Sequence, residues 1–316
     1  MQREYNYEDV YLVPQKCLVK SRSECDITTR LGPHTFRNPI IPANMKSVVN
    51  YDTCKYLSNL NMFYIMHRFD LNQEEYFDFL KTVDYTSISV GIKQHDKDML
   101  IEMRKQNINL DYVTIDVANA YSDHVRGFAS YIADLYPKCF IIVGNVCTPD
   151  AILFLQSSPN IHAIKIGISC GSVCSTKNAT GFNRRMVSTM VDCGKVANIP
   201  LIADGSIKEI GHFAIALNTS KRTNFVMSGN LFAGFEQSSG KVLVIDNKQY
   251  KEYYGNASEQ TKGNKKHVEG FCQLIPYKGD MGFFIEQIED GLKSSVSYAG
   301  VKDIKYMYDV PMICYK

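Results

Sequence analysis

FIIVGNVCTPDAILFLQSSPNIHAIKIG, residues 140–167, contains one complete repeating unit of this chain. Phe140–Gly144 is a short, continuous apolar and β-branched run, and Ala163–Gly167 is another. Continuous runs of this length read as strands buried on both faces. Between them, Thr148-Pro149-Asp150 opens AILFLQSS with a Thr cap and a Pro at the first helical position. The result is strand, helix, strand, with a connection long enough for a parallel crossover.

The same unit recurs outward in both directions. Runs of buried-strand character begin at residues 40, 62, 87, 112, 140, 163, 200 and 224. Successive starts lie 22 to 28 residues apart, except for one gap of 37. Asp52–Leu60, Gln73–Val83 and Asp98–Gln106 place apolar residues at helical spacing between them. Eight strand–helix units predict a (β/α)8 barrel occupying the whole of residues 1–316 as one domain. A doubly wound sheet is the alternative, but no G-x-G-x-x-G follows a strand. After the eighth run, Lys241–Tyr254 reads as a β-hairpin turning at Asp246-Asn247. Residues 254–270 read as a mobile flap, hairpin and flap together spanning about 241–271, and Phe283–Leu292 reads as a closing helix.

Composition narrows the function. The 316 residues carry 35 Lys+Arg against 33 Asp+Glu, so no global basic footprint marks a nucleic-acid polymer or a membrane surface as partner. Apolar runs are only a few residues long, far short of the ~20 needed for a membrane span. The first 14 residues, MQREYNYEDVYLVP, lack the apolar stretch of a secretion signal. Ten Cys in so long a chain, without any C-x-x-C, read as reduced, mostly buried thiols of a cytoplasmic protein.

A barrel puts its chemistry at the C-terminal ends of the strands. Those positions hold Asn44-Met45, His67-Arg68, Asp116 and Asn119, Gly144-Asn145, Asp204-Gly205-Ser206 and Ser228-Gly229-Asn230. The 37-residue gap marks an inserted loop there, about 167–186, reading GISCGSVCSTKNATGFNRR up to Arg185. Backbone N–H groups near Gly205 and Gly229, with the Ser172 hydroxyl, suit a phosphate; tight βα turns are the plain alternative. Cys174 sits among small residues in the inserted loop, which leaves a thiol accessible, although most single cysteines are structural. Asp116 suits an amide or ribose hydroxyl, or caps the next helix. His67-Arg68 reads as a cationic pair for a second anionic ligand, or as solvated charge. Glu269 is a general acid/base or surface charge, and Lys262, Lys265, Lys266 and His267 make the flap basic.

These residues resemble a family. GISCGSVCST resembles the G-x-G-P-G-S-x-C-x-T loop of the IMP dehydrogenase/GMP reductase family. PANMKSVV (42–49), FYIMHRF (63–69), TIDVANAYSDH (114–124), GNVCTPDA (144–151), IADGSI (202–207), LFAGFE (231–236), YKEYYGNASE (250–259), KKHVEG (265–270) and SSVSYAG (294–300) are similar to its other blocks, in order. The spacing leaves no room for a regulatory insertion, and no Arg-Tyr pair occurs at 254–270, so the chain resembles the reductase branch in its bacterial form.

The resemblance implies conversion of GMP and NADPH to IMP, NADP+ and ammonia. It implies Cys174 as the nucleophile on purine C2, with a thioimidate intermediate, and Thr176 and Glu269 as the pair serving the departing ammonia. It implies Ser172, Gly205, Ser206, Gly229 and Asn230 around the phosphate and Asp204 at the ribose. Asn256, Ala257, Ser258 and Gly270 fall to the base, and His67, Arg68, Asp116 and Ala118 to the cofactor. Main-chain oxygens of Gly167, Ser169 and Cys174 fall to a potassium ion, and the assembly to a homotetramer. Two other readings compete: an IMP dehydrogenase lacking its regulatory domains, and a non-catalytic purine-nucleotide-binding protein. The second is motivated by departures from the family pattern. Ser169 replaces a usual Gly, Cys170 a usual Pro, Ser206 the second Gly of A-D-G-G, and Ala120 a usual Gly. If residue 206 needs positive φ, its serine is strained, and its hydroxyl is then free to meet phosphate.

Overall fold

The computed structural model describes residues 3–256, 258 and 270–315. Two short pairs precede or flank the barrel. Strand β1 (Val10–Leu12) pairs antiparallel with the last strand, β14 (Met312–Cys314). Strands β2 (Thr29–Leu31) and β3 (His34–Phe36) form a hairpin.

Seven parallel strands then build the barrel sheet: β4 (Ile40–Pro42), β5 (Ser87–Val90), β6 (Tyr112–Asp116), β7 (Phe140–Val146), β8 (Ala163–Ile166), β9 (Leu201–Asp204) and β10 (Thr223–Ser228). Their order is β4-β10-β9-β8-β7-β6-β5. The second expected strand, at 62–66, is reduced to one parallel bridge between Met66 and Ile88. Met66 N–H donates to Ser87 at 3.0 Å, and Ser89 N–H donates to Met66 at 3.0 Å. A side chain explains the difference. The Tyr85 hydroxyl donates to the Met62 carbonyl and accepts the Tyr64 N–H at 3.3 Å, meeting backbone groups that a neighbouring strand would otherwise meet. The architecture is a (β/α)8-type α/β barrel.

Among the described residues, the α-helices are α1 (Tyr51–Asn59), α2 (Gln73–Leu80), α3 (Gln94–Lys105), α4 (Asp123–Leu135), α5 (Pro149–Gln156), α6 (Thr176–Thr180), α7 (Met186–Val196), α8 (Ile210–Asn218) and α9 (Met281–Tyr298). Caps set several of their starts. Thr148 accepts from Ala151 N–H at 3.3 Å with Pro149 in the first turn. Ser122, not Asp116, caps α4. Helix α9 is longer than the expected Phe283–Leu292, because Asp280 caps it early, accepting from Gly282 N–H at 2.7 Å. It is fastened beside β4: Arg37 forks onto Glu289 at 2.6 and 2.7 Å, and Asn38 adds 2.8 Å.

The N-terminal end of the barrel is closed by rings. Phe36 and Phe63 lie 5.1 Å apart, Phe63 and Tyr112 4.9 Å, and Phe63 and Phe225 5.8 Å, mostly tilted or edge-on. The Tyr112 hydroxyl donates to the Leu31 carbonyl at 2.7 Å, which ties the β2–β3 hairpin across the opening. At the other end, β11 (Val242–Ile245) and β12 (Lys248–Tyr254) pair antiparallel. Asp246 and Asn247, at φ 48° and 59°, make the two-residue turn. A third strand, β13 (Cys272–Pro276), joins β12 and was not foreseen. Most of the expected flap lies outside the described residues. Among the described residues no helix is long and apolar enough to cross a membrane. Four cysteines, Cys25, Cys54, Cys139 and Cys193, are buried, fewer than expected; Cys17 and Cys314 are exposed.

Candidate active site

The loop after β8 begins with a backbone that only glycine fits. Gly167 has φ 143°, and a Cβ there would come 2.1 Å from the Asp204 carbonyl oxygen. Ser169 follows at φ 63°. The Cys170 carbonyl then accepts the Ser206 N–H at 2.9 Å and the Ser206 hydroxyl at 3.2 Å. This stitches the loop after β8 to the loop after β9. Gly205 (φ 103°) leaves room for Cys170, whose Cβ would lie 2.9 Å from an added Cβ. Ser206 has φ 59°, the left-handed conformation in which a serine is strained. Its hydroxyl is engaged by Cys170 rather than free. Burial pushes the Cys170 thiol up to about 12, so it is no nucleophile near neutral pH.

Cys174 is only half-buried. Its Sγ lies 3.2 Å from the Thr176 hydroxyl and 4.0 Å from that of Ser169. Its N–H donates to Gly171 at 3.1 Å. Cys174 bridges antiparallel to Gly270, and Phe271 N–H donates to Val173 at 3.1 Å, so the end of the flap segment pins the loop. The Ser169 hydroxyl accepts the Lys177 N–H at 2.7 Å.

A cavity of about 390 Å³ opens beside this thiol. Cys174, Ser172, Gly205, Ser206, Gly229 and Asn230 all line it, which brings together the nucleophile candidate and the residues assigned to phosphate. The donors divide unevenly. Gly205 and Ser206 already give their N–H groups to Met227 and Cys170. Among the described residues, the N–H groups of Gly171, Ser172, Gly229 and Asn230 have no partner. Tyr253 stands between the two loops and was missed as a single residue. Its hydroxyl is 3.5 Å from that of Ser172 and would be 2.6 Å from any Cβ on Gly229. Burial holds this phenol neutral, pushed up to about 12.

Below the mouth lies a charged cluster that sequence reasoning did not single out. Lys165 is 2% exposed. Its Nζ is 2.7 Å from Asp204 and 3.3 Å from Asp116, and it also donates to the Asn145 side-chain oxygen. Burial alone would push the Lys165 ammonium down, but Asp204 and Asp116 outweigh it and hold it above its ordinary range. Asn145 Nδ2 donates to Asp204 at 2.9 Å and to the Gly167 carbonyl at 2.6 Å. A signal was present: Lys165 is the one charge in an otherwise apolar run, AIKIG, and such a lysine needs partners.

His67 is buried, and burial pushes it down to about 4. Its Nδ1 accepts the Phe69 N–H at 3.2 Å. The expected cationic pair therefore carries one charge at neutral pH, that of Arg68. Arg68 stacks 4.7 Å over Phe69, and its Nε is buried without a partner among the described residues. His67, Arg68, Asp116 and Ala118 do not line the cavity beside Cys174. Asn119 accepts the Tyr121 N–H at 3.1 Å, a turn contact. Asn256 donates to the Asn44 carbonyl at 3.2 Å, and Ser258 and Gly270 are buried. Ala257 and Glu269 lie outside the described residues, as do Lys262, Lys265, Lys266 and His267.

The family model described as "IMP dehydrogenase / GMP reductase domain" matches residues 4–313. The chain belongs to the IMP dehydrogenase / GMP reductase family. A protein named GMP reductase from Chromobacterium violaceum is 42% identical over 311 residues, 98% of each chain. Others so named are 41% identical in Paracidovorax citrulli, over 94% of this chain and 91% of that one, and 40% in Staphylococcus aureus, over 98% and 95%. Family membership over this length makes the chain an enzyme, and the barrel mouth just described is the candidate place for its chemistry.

Proposed function

We propose that the protein acts as a GMP reductase, converting GMP to IMP with release of ammonia and with NADPH as reductant. The observation that carries this reading is Cys174 Sγ lying 3.2 Å from the Thr176 hydroxyl, with Cys174 lining a cavity of about 390 Å³, large enough for a whole small-molecule ligand. In this mechanism the Cys174 thiolate adds to purine C2, forming a C–S bond and a tetrahedral centre. The C2–N bond then breaks, leaving a thioimidate, and the amine departs with a proton relayed through Thr176 and Glu269. NADPH, when bound, supplies the hydride that replaces the lost amine on C2. Cys174 then leaves as thiolate, and IMP is released.

The chain's own groups support each binding role. The N–H groups of Ser172, Gly229 and Asn230, without partners among the described residues, suit phosphate oxygens, with the Ser172 hydroxyl beside them; Gly205 and Ser206 shape the turn under that site. Asp204, at the end of β9, suits the ribose hydroxyls. Asn256, Ala257, Ser258 and Gly270 are assigned to the base. Arg68, whose Nε has no partner among the described residues, suits an anionic dinucleotide, and His67, Asp116 and Ala118 are assigned to the same ligand. For potassium, the Ser169 and Cys174 carbonyl oxygens accept no bond among the described residues, and Gly167 keeps one lone pair beyond Asn145. That set fits a cation that shapes the loop. A cytoplasmic homotetramer of single-barrel chains completes the proposal.

The test mixes protein, GMP and NADPH and follows NADPH absorbance and ammonia together. GMP-dependent loss of NADPH with stoichiometric ammonia supports the reading. Tight GMP binding without turnover supports a nucleotide-binding protein instead. NADH formation from IMP and NAD+ as the sole activity supports a dehydrogenase.

A further inference from the structure

We infer that Lys165 is a positioning residue that couples the GMP side of the site to its cofactor side, by sharing one ammonium between Asp204 and Asp116. The inference rests on the functional reading above, in which Asp204 meets ribose and Asp116 meets the dinucleotide.

The sheet makes this sharing possible. Asp116, on β6, pairs in register with Gly144 on β7, and Gly144 pairs with Lys165 on β8. A Cβ on Gly144 would lie 2.5 Å from the Lys165 Cβ. The missing side chain at Gly144 is what lets the lysine stem cross β7 and reach a carboxylate two strands away. On its other flank Lys165 meets Asp204 at the end of β9. Its ammonium donates to Asp204 at 2.7 Å and to the Asn145 oxygen, and pairs with Asp116 at 3.3 Å. Asn145 closes the ring by donating to Asp204 at 2.9 Å.

Two carboxylates and one buried ammonium form a balance. Lys165 and Asn145 both hold Asp204 Oδ2, so a ligand hydroxyl that engages Oδ1 draws on the same carboxylate charge that Lys165 neutralises. If Asp116 loses its charge, the whole ammonium falls to Asp204, and Asp204 becomes a poorer acceptor for ribose. A lysine that only fills the barrel would transmit no such effect.

The test is GMP binding to the full chain by titration calorimetry, without dinucleotide. Asp116→Asn should weaken GMP binding about three- to tenfold, although Asp116 is assigned to the other ligand. The same change made on top of Lys165→Met should have no further effect on GMP affinity. Unchanged GMP affinity in Asp116→Asn overturns the inference. So does an Asp116→Asn effect that persists undiminished in the Lys165→Met background. The first arm leaves Lys165 intact, so it stands even if Lys165→Met fails to fold. Wild-type chain that binds no GMP overturns the functional reading itself, before any variant is compared.

Discussion

The two ends of the barrel solve opposite problems. The N-terminal end packs Phe36, Phe63, Tyr112 and Phe225 into a plug in which each ring is buried. Its polar atoms are few, and its stabilisation comes from apolar area and ring geometry. The C-terminal end holds a buried lysine between two carboxylates, a serine at φ 59° and another at φ 63°. Those features destabilise a fold unless neighbours compensate, and here Asn145 and the Cys170 carbonyl do so. One end holds the barrel together; the other keeps charge and strain where chemistry is proposed.

That contrast can be broken at either end. The largest effect should come from the mouth: Cys174→Ala should lower turnover roughly 10³-fold or more while GMP binding and thermal midpoint stay near wild type. Turnover at the wild-type rate in that variant would remove Cys174 as nucleophile. At the plug, Phe63→Ala should destabilise by about 3–5 kcal/mol in urea unfolding, with KM for GMP unchanged in the folded enzyme. A large KM change there would show that the two ends are not separable.

The next effect is smaller and depends on pH. His67 is held down to about 4 in the fold, against about 6.5 when unfolded. Between those values the unfolded chain binds the extra proton, so stability rises with pH over this window. The gain is roughly 3 kcal/mol, complete above about pH 6.5 and lost as pH falls toward 4. His67→Gln should flatten that step in a series of unfolding curves; an unchanged slope would assign the pH dependence elsewhere. The smallest effect is expected at Ser206. Ser206→Gly relieves about 1–2 kcal/mol of left-handed strain. It also loses one hydrogen bond of about 1 kcal/mol and loosens the unfolded chain. A net change within about 1 kcal/mol is expected, and a larger loss would show that the Cys170 contact dominates.

Much of this was legible in the chain itself. The repeat of buried-strand runs announced the barrel, and the 37-residue gap announced the long loop between β8 and β9, because strand and helix spacing are local properties. Cys174, Ser172 and the glycines of the loops were likewise named from position and pattern, and Thr176 from the family resemblance. The second run failed to become a full strand because the Tyr85 hydroxyl, 21 residues from Tyr64, met its backbone. His67 was read as a cation because sequence carries no burial. Lys165 and Tyr253 escaped because their roles depend on partners on other strands.

Sequence by itself thus determined the eightfold order of elements, the turn at Asp246-Asn247, the cap at Thr148 and the family. Each depends on residues close together in the chain, or on many ordered motifs at once. Only the tertiary structure decided which charges meet. Asp116, Asn145, Lys165 and Asp204 come from four neighbouring strands. Whether a buried lysine is a liability or a clamp depends on what stands across the sheet, and at Gly144 it depends on what is missing there.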